Sequence, residues 1–121
     1  MHALATATLL ALAVPMAGPL PPPGLVDGAT AQRLQARGVT VLDVRTPQEF
    51  EAGHVPGALN IPLPHLDERM AEIPAGRPVA VHCEGGYRSA IAASVLQRLG
   101  HRDVHDLVGG YKAWRTATSP A

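Results

Sequence analysis

The chain has 121 residues, enough for one domain with a single hydrophobic core but not for two. Ten Lys and Arg residues balance ten Asp and Glu residues, so no basic field indicates a nucleic-acid partner. One cysteine excludes an internal disulfide and a multi-thiolate metal site, and no two of the six histidines share metal-ligand spacing on one predicted element. We therefore expect neither a metal nor a cofactor.

The first 24 residues are apolar and then proline-rich. The uncharged run 3–14 is shorter than the ~20 residues that span a bilayer, so no stable membrane span is expected. Its length suits a secretory signal, with Ala11-Leu12-Ala13 as a cleavage-like site, which would make the protein periplasmic or secreted. The lack of Lys or Arg before this run leaves open a disordered extension of a cytoplasmic protein. The predicted boundaries are 1–24 for this segment, 25–116 for a globular domain and 117–121 for a tail.

Predicted strands and helices alternate along the domain. Apolar and β-branched runs predict strands at 25–26, 39–44, 58–61, 79–81 and 104–108. Helices are predicted after Asp27, after the capping box 46–49, over 66–73, up to the stop at Gly100, and over 111–116. This alternation predicts an α/β fold with a mostly parallel sheet covered by helices. In such sheets, ligands bind beyond the carboxyl ends of the strands.

The only cysteine opens a glycine-containing loop between a predicted strand and a predicted helix. Cys83 follows the strand, and Glu84-Gly85-Gly86-Tyr87-Arg88 leads into a helix with Ile91, Val95 and Leu99 at four-residue spacing on one face. Loop N–H groups, the positive end of the helix dipole and the arginine would all favour a thiolate. A lone cysteine is often only a small buried residue. Such a residue, however, needs neither two glycines nor an arginine behind it.

Four segments carry a resemblance that covers about residues 25–116. They are Leu42-Asp43-Val44-Arg45 with Glu49-Phe50, Gly53 to Pro62, Cys83 to Ser89, and Gly109-Gly110-Tyr111 with Trp114. In this order and spacing they resemble the rhodanese-like sulfurtransferase family. The resemblance implies a central, mostly parallel five-stranded sheet flanked by helices.

The resemblance also implies a two-step sulfur transfer. The Cys83 thiolate would take the outer sulfur of thiosulfate or of a persulfide, and cyanide or a thiol would then remove it. Donor and acceptor could be small molecules or protein-bound, and a monomer or weak homodimer is expected. The loop residues expected to form the site are Glu84, Gly85, Gly86, Tyr87, Arg88 and Ser89.

Several of these residues carry more specific expectations. Ser89 is expected to cap the following helix. Arg88 would either bind an anionic donor or brace the loop by binding carbonyl groups or Asp43. Asp43 and Arg45 are expected to support the site, either by orienting the loop or as a structural ion pair. The Glu84 carboxylate would oppose the thiolate and repel thiosulfate, which makes a persulfide or another less charged donor the better candidate.

Two histidines and the tryptophan are expected to be structural. His54 lies in a turn, and the side chain of His82 should point to the sheet face opposite the cysteine, which argues against a general-base role. Trp114 is expected to contact the core or to cover the site.

Two other functions remain open. Cysteine-dependent phosphatases resemble this loop, but theirs has five residues between cysteine and arginine, whereas four lie between Cys83 and Arg88. A shorter loop suits a sulfur atom better than a tetrahedral phosphate. A non-catalytic binding module or sulfur carrier is the other alternative, although domains that lose catalysis usually lose the cysteine.

Overall fold

The computed structural model describes residues 19–118. The proposed signal segment and residues 119–121 lie outside the described residues. Among residues 19–118, no helix is long and apolar enough to cross a membrane. The strands and helices in chain order are β1 (Gly24–Val26), α1 (Gly28–Ala36), β2 (Thr40–Asp43), α2 (Pro47–Ala52), β3 (Leu59–Asn60), β4 (Val79–His82), α3 (Tyr87–Arg98), β5 (Val104–Leu107) and α4 (Gly110–Thr118).

The five strands form one sheet in the order β1-β5-β4-β2-β3, and every neighbouring pair is parallel. The central strand β4 is buried at every position, which explains its continuous apolar run. This confirms the predicted α/β fold with its helix-covered parallel sheet. Because parallel strands end at the same edge, the register places Asp43 of β2 beside His82 of β4. The segments that follow these two residues therefore start side by side.

Alternate residues of β4 belong to two hydrophobic clusters, one on each face of the sheet. Val79, Val81 and Cys83 pack in the cluster that includes Leu96 of α3. Ala80 packs in the other cluster, which includes residues of α1 and α4. The sheet is thus covered on both faces, and the cysteine extends the α3-side core to the carboxyl edge.

The predicted starts of α1 and α2 are confirmed. Asp27 Oδ1 accepts the N–H of Thr30 at 2.8 Å. In the capping box of α2, Thr46 Oγ1 accepts the N–H of Glu49 at 3.2 Å, and Glu49 Oε1 accepts the N–H of Thr46 at 3.0 Å. The side chain of Glu49 is therefore fixed at the start of α2.

The apolar face predicted for helix α3 is only partly correct, because Val95 packs against the core but Ile91 and Leu99 do not. Its buried residues are Ser89, Ala92 and Leu96, whereas Ile91 and Leu99 are 37% and 46% exposed. The helix packs against a sheet, and small side chains let its axis come close to β4 and β5. Ile91 and Leu99 therefore lie beside the contact, whereas Leu96 lies within it.

The predicted helix over 66–73 does not form. The region contains two 3₁₀ turns, Leu63–His65 and Met70–Glu72, yet Leu66 and Ile73 are still buried in the core. Only two turns of α-helix would fit between the flanking prolines, and such a short helix is marginal in itself. The segment therefore buries its apolar side chains without forming a regular α-helix.

Candidate active site

Cys83 lies at the carboxyl edge of the sheet, directly after β4. Its side chain belongs to the α3-side core and is 1% exposed. The residues that follow turn back into helix α3, which begins at Tyr87. The sulfur atom therefore lies at the junction of a buried strand and a helix N-terminus, as the sequence predicts.

Two backbone N–H groups donate to the sulfur atom. Gly86 N lies 3.1 Å from Cys83 Sγ, and Ser89 N lies 3.2 Å from it. Gly86 precedes α3 and has φ +91°, a left-handed conformation that a residue with a side chain adopts only at a cost. Both donors belong to the positive end of the helix dipole, so the arrangement favours an anionic sulfur.

Ser89 has a different role from the predicted helix cap. Helix α3 starts two residues earlier, and Gly86 occupies the cap position. The Ser89 side chain is fully buried inside the first turn, where its Oγ donates to the Gly86 carbonyl at 3.3 Å. This contact links the two residues whose N–H groups reach the sulfur.

Gly110 packs against the backbone of the cysteine. A Cβ atom at this position would overlap the carbonyl oxygen of Cys83 and crowd that of Glu84, and its φ of +60° is left-handed. Only a glycine lets the start of α4 approach the cysteine backbone so closely. This explains the second glycine of the Gly109-Gly110 pair in the motif.

Arg88 braces the loop, but through a partner that the sequence did not indicate. Its guanidinium binds both carboxylate oxygens of Glu49, with NH1 to Oε1 at 2.7 Å and NH2 to Oε2 at 3.0 Å. The two side chains are 31% and 34% exposed. The pKa of Glu49 is lowered from 4.5 to about 2, with the hydrogen bonds from Arg88 as the largest cause and those from Thr46 adding to it, while burial opposes the shift. The pair ties the active loop to the start of α2.

Asp43 and Arg45 form the expected ion pair at the end of β2. Arg45 NH2 lies 2.8 Å from Asp43 Oδ2, and its Nε lies 3.0 Å from Oδ1. The hydrogen bonds that Arg45 donates to Asp43 raise the pKa of Arg45. Arg45 also donates to the Gly53 carbonyl at 2.8 Å and to Glu84 Oε1 at 3.3 Å. The Glu84 carboxylate is thus held by a cation, which weakens the repulsion of the thiolate expected from the sequence.

His82 contacts the backbone of the cysteine rather than its sulfur. Its ring is fully buried, with Nδ1 3.2 Å from the Cys83 carbonyl oxygen and Nε2 3.6 Å from Asp43 Oδ2. Burial lowers the pKa of His82, although Asp43 opposes this shift. A neutral imidazole in this place supports the strand end and does not reach the reacting atom.

The other predicted structural residues also find partners. The ring of His54 stacks on Phe50 with 3.7 Å between centroids, and its Nδ1 lies 2.7 Å from the Phe50 carbonyl oxygen. Trp114 packs against the core on the α4 side. Tyr87, which was expected among the loop residues of the site, lies on the surface with 78% exposure.

In the part of the chain that the structure describes, no group of three or more His, Cys, Asp or Glu side chains could hold a metal ion.

Three residues near the site were missed in the sequence. Glu49 was predicted to close a capping box, and it lies in the first segment of the resemblance, but its pairing with Arg88 was not predicted. The Tyr111 ring lies near the guanidinium groups of Arg45 and Arg115, at 5.6 and 5.3 Å from its centroid, a cation–π geometry that no sequence pattern announces. Asp106 of β5 is the third, because its carboxyl group forms a hydrogen bond with Ser89 of the active loop. Burial raises the pKa of Asp106, and this hydrogen bond opposes the shift.

Comparisons with known proteins agree with this architecture. The family model of the rhodanese-like domain matches residues 28–117. An uncharacterized protein of Bacillus subtilis, YqhL, is 44% identical over 78 residues, which cover 64% of this chain and 62% of YqhL. A sulfurtransferase of Allochromatium vinosum is 40% identical over 85 residues, covering 69% of this chain and 79% of that protein.

A solved structure gives the same result. The crystal structure of a rhodanese-related protein from Thermoplasma volcanium has a TM-score of 0.70 and 33% identity, covering 78% of this chain and 93% of that one. The chain spans less than two thirds of YqhL and only 40% of a Mycobacterium tuberculosis transcriptional regulator that it also matches. The matched unit therefore also occurs inside longer proteins.

Proposed function

Because this chain belongs to the rhodanese-like domain family, we propose that it is a sulfurtransferase that carries sulfane sulfur on Cys83. The sulfur would come from thiosulfate or a persulfide and would pass to a thiophilic acceptor such as cyanide or a thiol. The relative from Allochromatium vinosum that is named a sulfurtransferase supports this class of reaction.

One observation carries the proposal: Cys83 Sγ accepts two N–H bonds from the start of α3. Hydrogen bonds to an anion are stronger than those to a neutral group, so the cradle favours the thiolate, which is the nucleophilic form. A persulfide anion is one sulfur longer and carries its charge further out. N–H groups of the glycine-containing loop from Glu84 to Ser89 would suit such an anion as well.

In the first step, the thiolate sulfur of Cys83 attacks the outer sulfur of the donor. A new S–S bond forms to Cys83, the S–S bond of the donor breaks, and its electron pair leaves with sulfite or with the donor's thiolate. In the second step, the acceptor's nucleophilic atom attacks the outer sulfur of the Cys83 persulfide. The Cys83 thiolate leaves with the electron pair and is ready for another cycle.

The loop geometry favours sulfur over phosphate as the transferred group. A phosphatase uses its loop arginine to hold two phosphate oxygens, whereas Arg88 has both nitrogen ends on Glu49. The cradle between Cys83 and Arg88 is also one residue shorter than a phosphatase loop. A single sulfur atom fits this cradle better than a tetrahedral group.

Intact mass spectrometry tests the proposal directly. The protein is incubated with thiosulfate or, separately, with a low-molecular-weight persulfide, and the mass of each product is recorded. We expect a gain of one sulfur atom that is removed by cyanide or by a thiol. The Cys83→Ser variant should show no gain.

The outcomes separate the candidate functions. Loading by at least one donor followed by release to an acceptor supports a sulfurtransferase. Loading that no acceptor reverses would favour a sulfur carrier, in which a partner protein removes the sulfur. If neither donor loads the wild-type protein, the proposal fails and a non-catalytic binding role is the better account.

A further inference from the structure

Both arginines beside the active loop are already paired with carboxylates of the protein itself. Arg88 is bound at both ends by Glu49, and Arg45 is bound by Asp43 and Glu84. Lys112 and Arg115 of α4 line a depression that Arg45, Glu49 and Glu84 also line, but neither belongs to the loop that holds the sulfur. The guanidinium groups of Arg45 and Arg88 therefore already carry their counter-ions.

The Glu49 carboxylate is held in place from several directions. Its Oε1 accepts the N–H and the hydroxyl of Thr46 at 3.0 and 3.1 Å, in addition to the bond from Arg88. With a pKa of about 2, the group is ionised at neutral pH. An anion that competes for Arg88 would have to displace this fixed carboxylate from both nitrogen ends of the guanidinium. The Glu49 carboxylate thus fills the bidentate contact that Arg88 could otherwise offer to the oxygens of an anionic donor.

We propose that Glu49 is a specificity-determining residue that keeps Arg88 from binding an oxyanion, so that the preferred donor is an uncharged persulfide rather than thiosulfate. This inference rests on the proposed sulfur transfer through Cys83. The charge of Glu84 already argued against thiosulfate from the sequence, and the contact between Glu49 and Arg88 gives a second reason. Glu49 acts through Arg88 and does not touch the reacting sulfur.

The charges of the two possible reactions explain the preference. Thiosulfate brings a dianion to the Cys83 thiolate, and the sulfite that leaves carries the same charge. A loop cation free to bind the donor would offset this repulsion, and Arg88 is already bound to Glu49. A protonated persulfide, R–S–SH, is neutral: its outer sulfur forms the bond to Cys83 and keeps its proton, its S–S bond breaks, and R–S⁻ leaves with the electron pair. The Cys83 persulfide then releases that proton to solvent. The two N–H groups on the sulfur serve this second reaction without help from Arg88.

Glu49→Gln is the variant that tests the inference. Glutamine keeps the size of the side chain and can still close the capping box, so α2 should start at the same residue. It removes the charge that neutralises Arg88. We expect kcat/KM for thiosulfate to rise about tenfold, the effect of one stronger charge-assisted contact. The value for a low-molecular-weight persulfide should stay within about twofold, since that donor does not need Arg88.

Glu51→Gln is the matched control. It removes the same charge from the same helix, and Glu51 is exposed. It should leave both donors unchanged. Thermal melting of each variant checks that the domain is folded. An unchanged or lower thiosulfate efficiency in folded Glu49→Gln, with persulfide transfer intact, overturns the specificity role and leaves the pair as a brace. If neither donor loads Cys83 in the wild-type protein or the variant, the proposed function itself fails, and this inference fails with it.

Discussion

Two arginine–carboxylate pairs flank the active loop, and they differ in burial. On the β2 side, Arg45 and Asp43 are 4% and 0% exposed, and the arginine also binds a backbone carbonyl. On the α2 side, about a third of the side chains of Arg88 and Glu49 remains accessible. The same chemical pair therefore stands in two different dielectric surroundings.

The difference teaches which pair holds the fold and which can affect the reaction. When a buried charge loses its partner, water cannot reach it to replace that partner. The ion pair of Asp43 and Arg45 must therefore stay intact in the folded protein. A half-exposed pair gains little net free energy, and water solvates either partner if it opens. The chain can therefore change the second pair without unfolding, which makes that pair suitable for setting donor preference.

Breaking the buried pair should have the largest effect on stability. Arg45→Ala leaves the carboxylate of Asp43 uncompensated in the core, and we expect the free energy of unfolding to fall by about 3–5 kcal/mol. Urea denaturation followed by circular dichroism measures this change. The double variant Asp43→Asn/Arg45→Met removes both charges and should recover a large part of the loss. If Arg45→Ala lowers the free energy of unfolding by less than about 1 kcal/mol, the pair does not stabilise the carboxyl edge of the sheet as described.

Breaking the half-exposed pair should cost less. Glu49→Ala removes a capping contact and an ion pair, which together are worth about 1–2 kcal/mol. Glu49→Gln keeps the cap and should cost less than half of that. The same urea titration measures both variants. A loss as large as that of Arg45→Ala would contradict the distinction between the two sites.

The smallest effect is a pH dependence confined to the acid range. The pKa of Glu49 is lower in the folded state, about 2, than its ordinary value of 4.5. The unfolded chain therefore takes up the proton first, and the stabilisation, present in full above pH 4.5, is lost as the pH falls from there towards 2. The difference in Tm between the wild type and Glu49→Gln should shrink over this range. A difference that stays constant with pH would mean that the charge contributes nothing.

Much of this arrangement could be predicted because it depends on local chemistry. The apolar run of β4, the capping box of α2 and Gly86 of the loop each dictate their own backbone, and each is found in the structure, whereas Gly85 does not have a positive φ. The position of Cys83 at the carboxyl edge follows from parallel strands alone. Local patterns thus place the nucleophile and the N–H groups around it.

The remaining features depend on contacts between distant segments. Nothing in the sequence indicates that Arg88 would choose Glu49 over Asp43, because that choice depends on how α2 lies against the loop. The buried face of α3 was missed for a similar reason, since Ala92 is favoured only once the helix lies on a sheet. Ser89 could serve as a cap by composition, but the left-handed backbone at Gly86 lets the helix begin earlier.

The strand order also bears on how the protein is made. Strand β1 leaves the ribosome first, yet its partner is β5, with Gly24 beside His105. Such non-local pairing is slow to form, and here it must wait for nearly the whole domain to be translated. Gly110, which closes the site under the cysteine, follows β5 and emerges later still. The nascent Cys83 therefore lacks the packing of Gly110 against its carbonyl group until that residue has emerged, and during this interval its thiol is more open to oxidants.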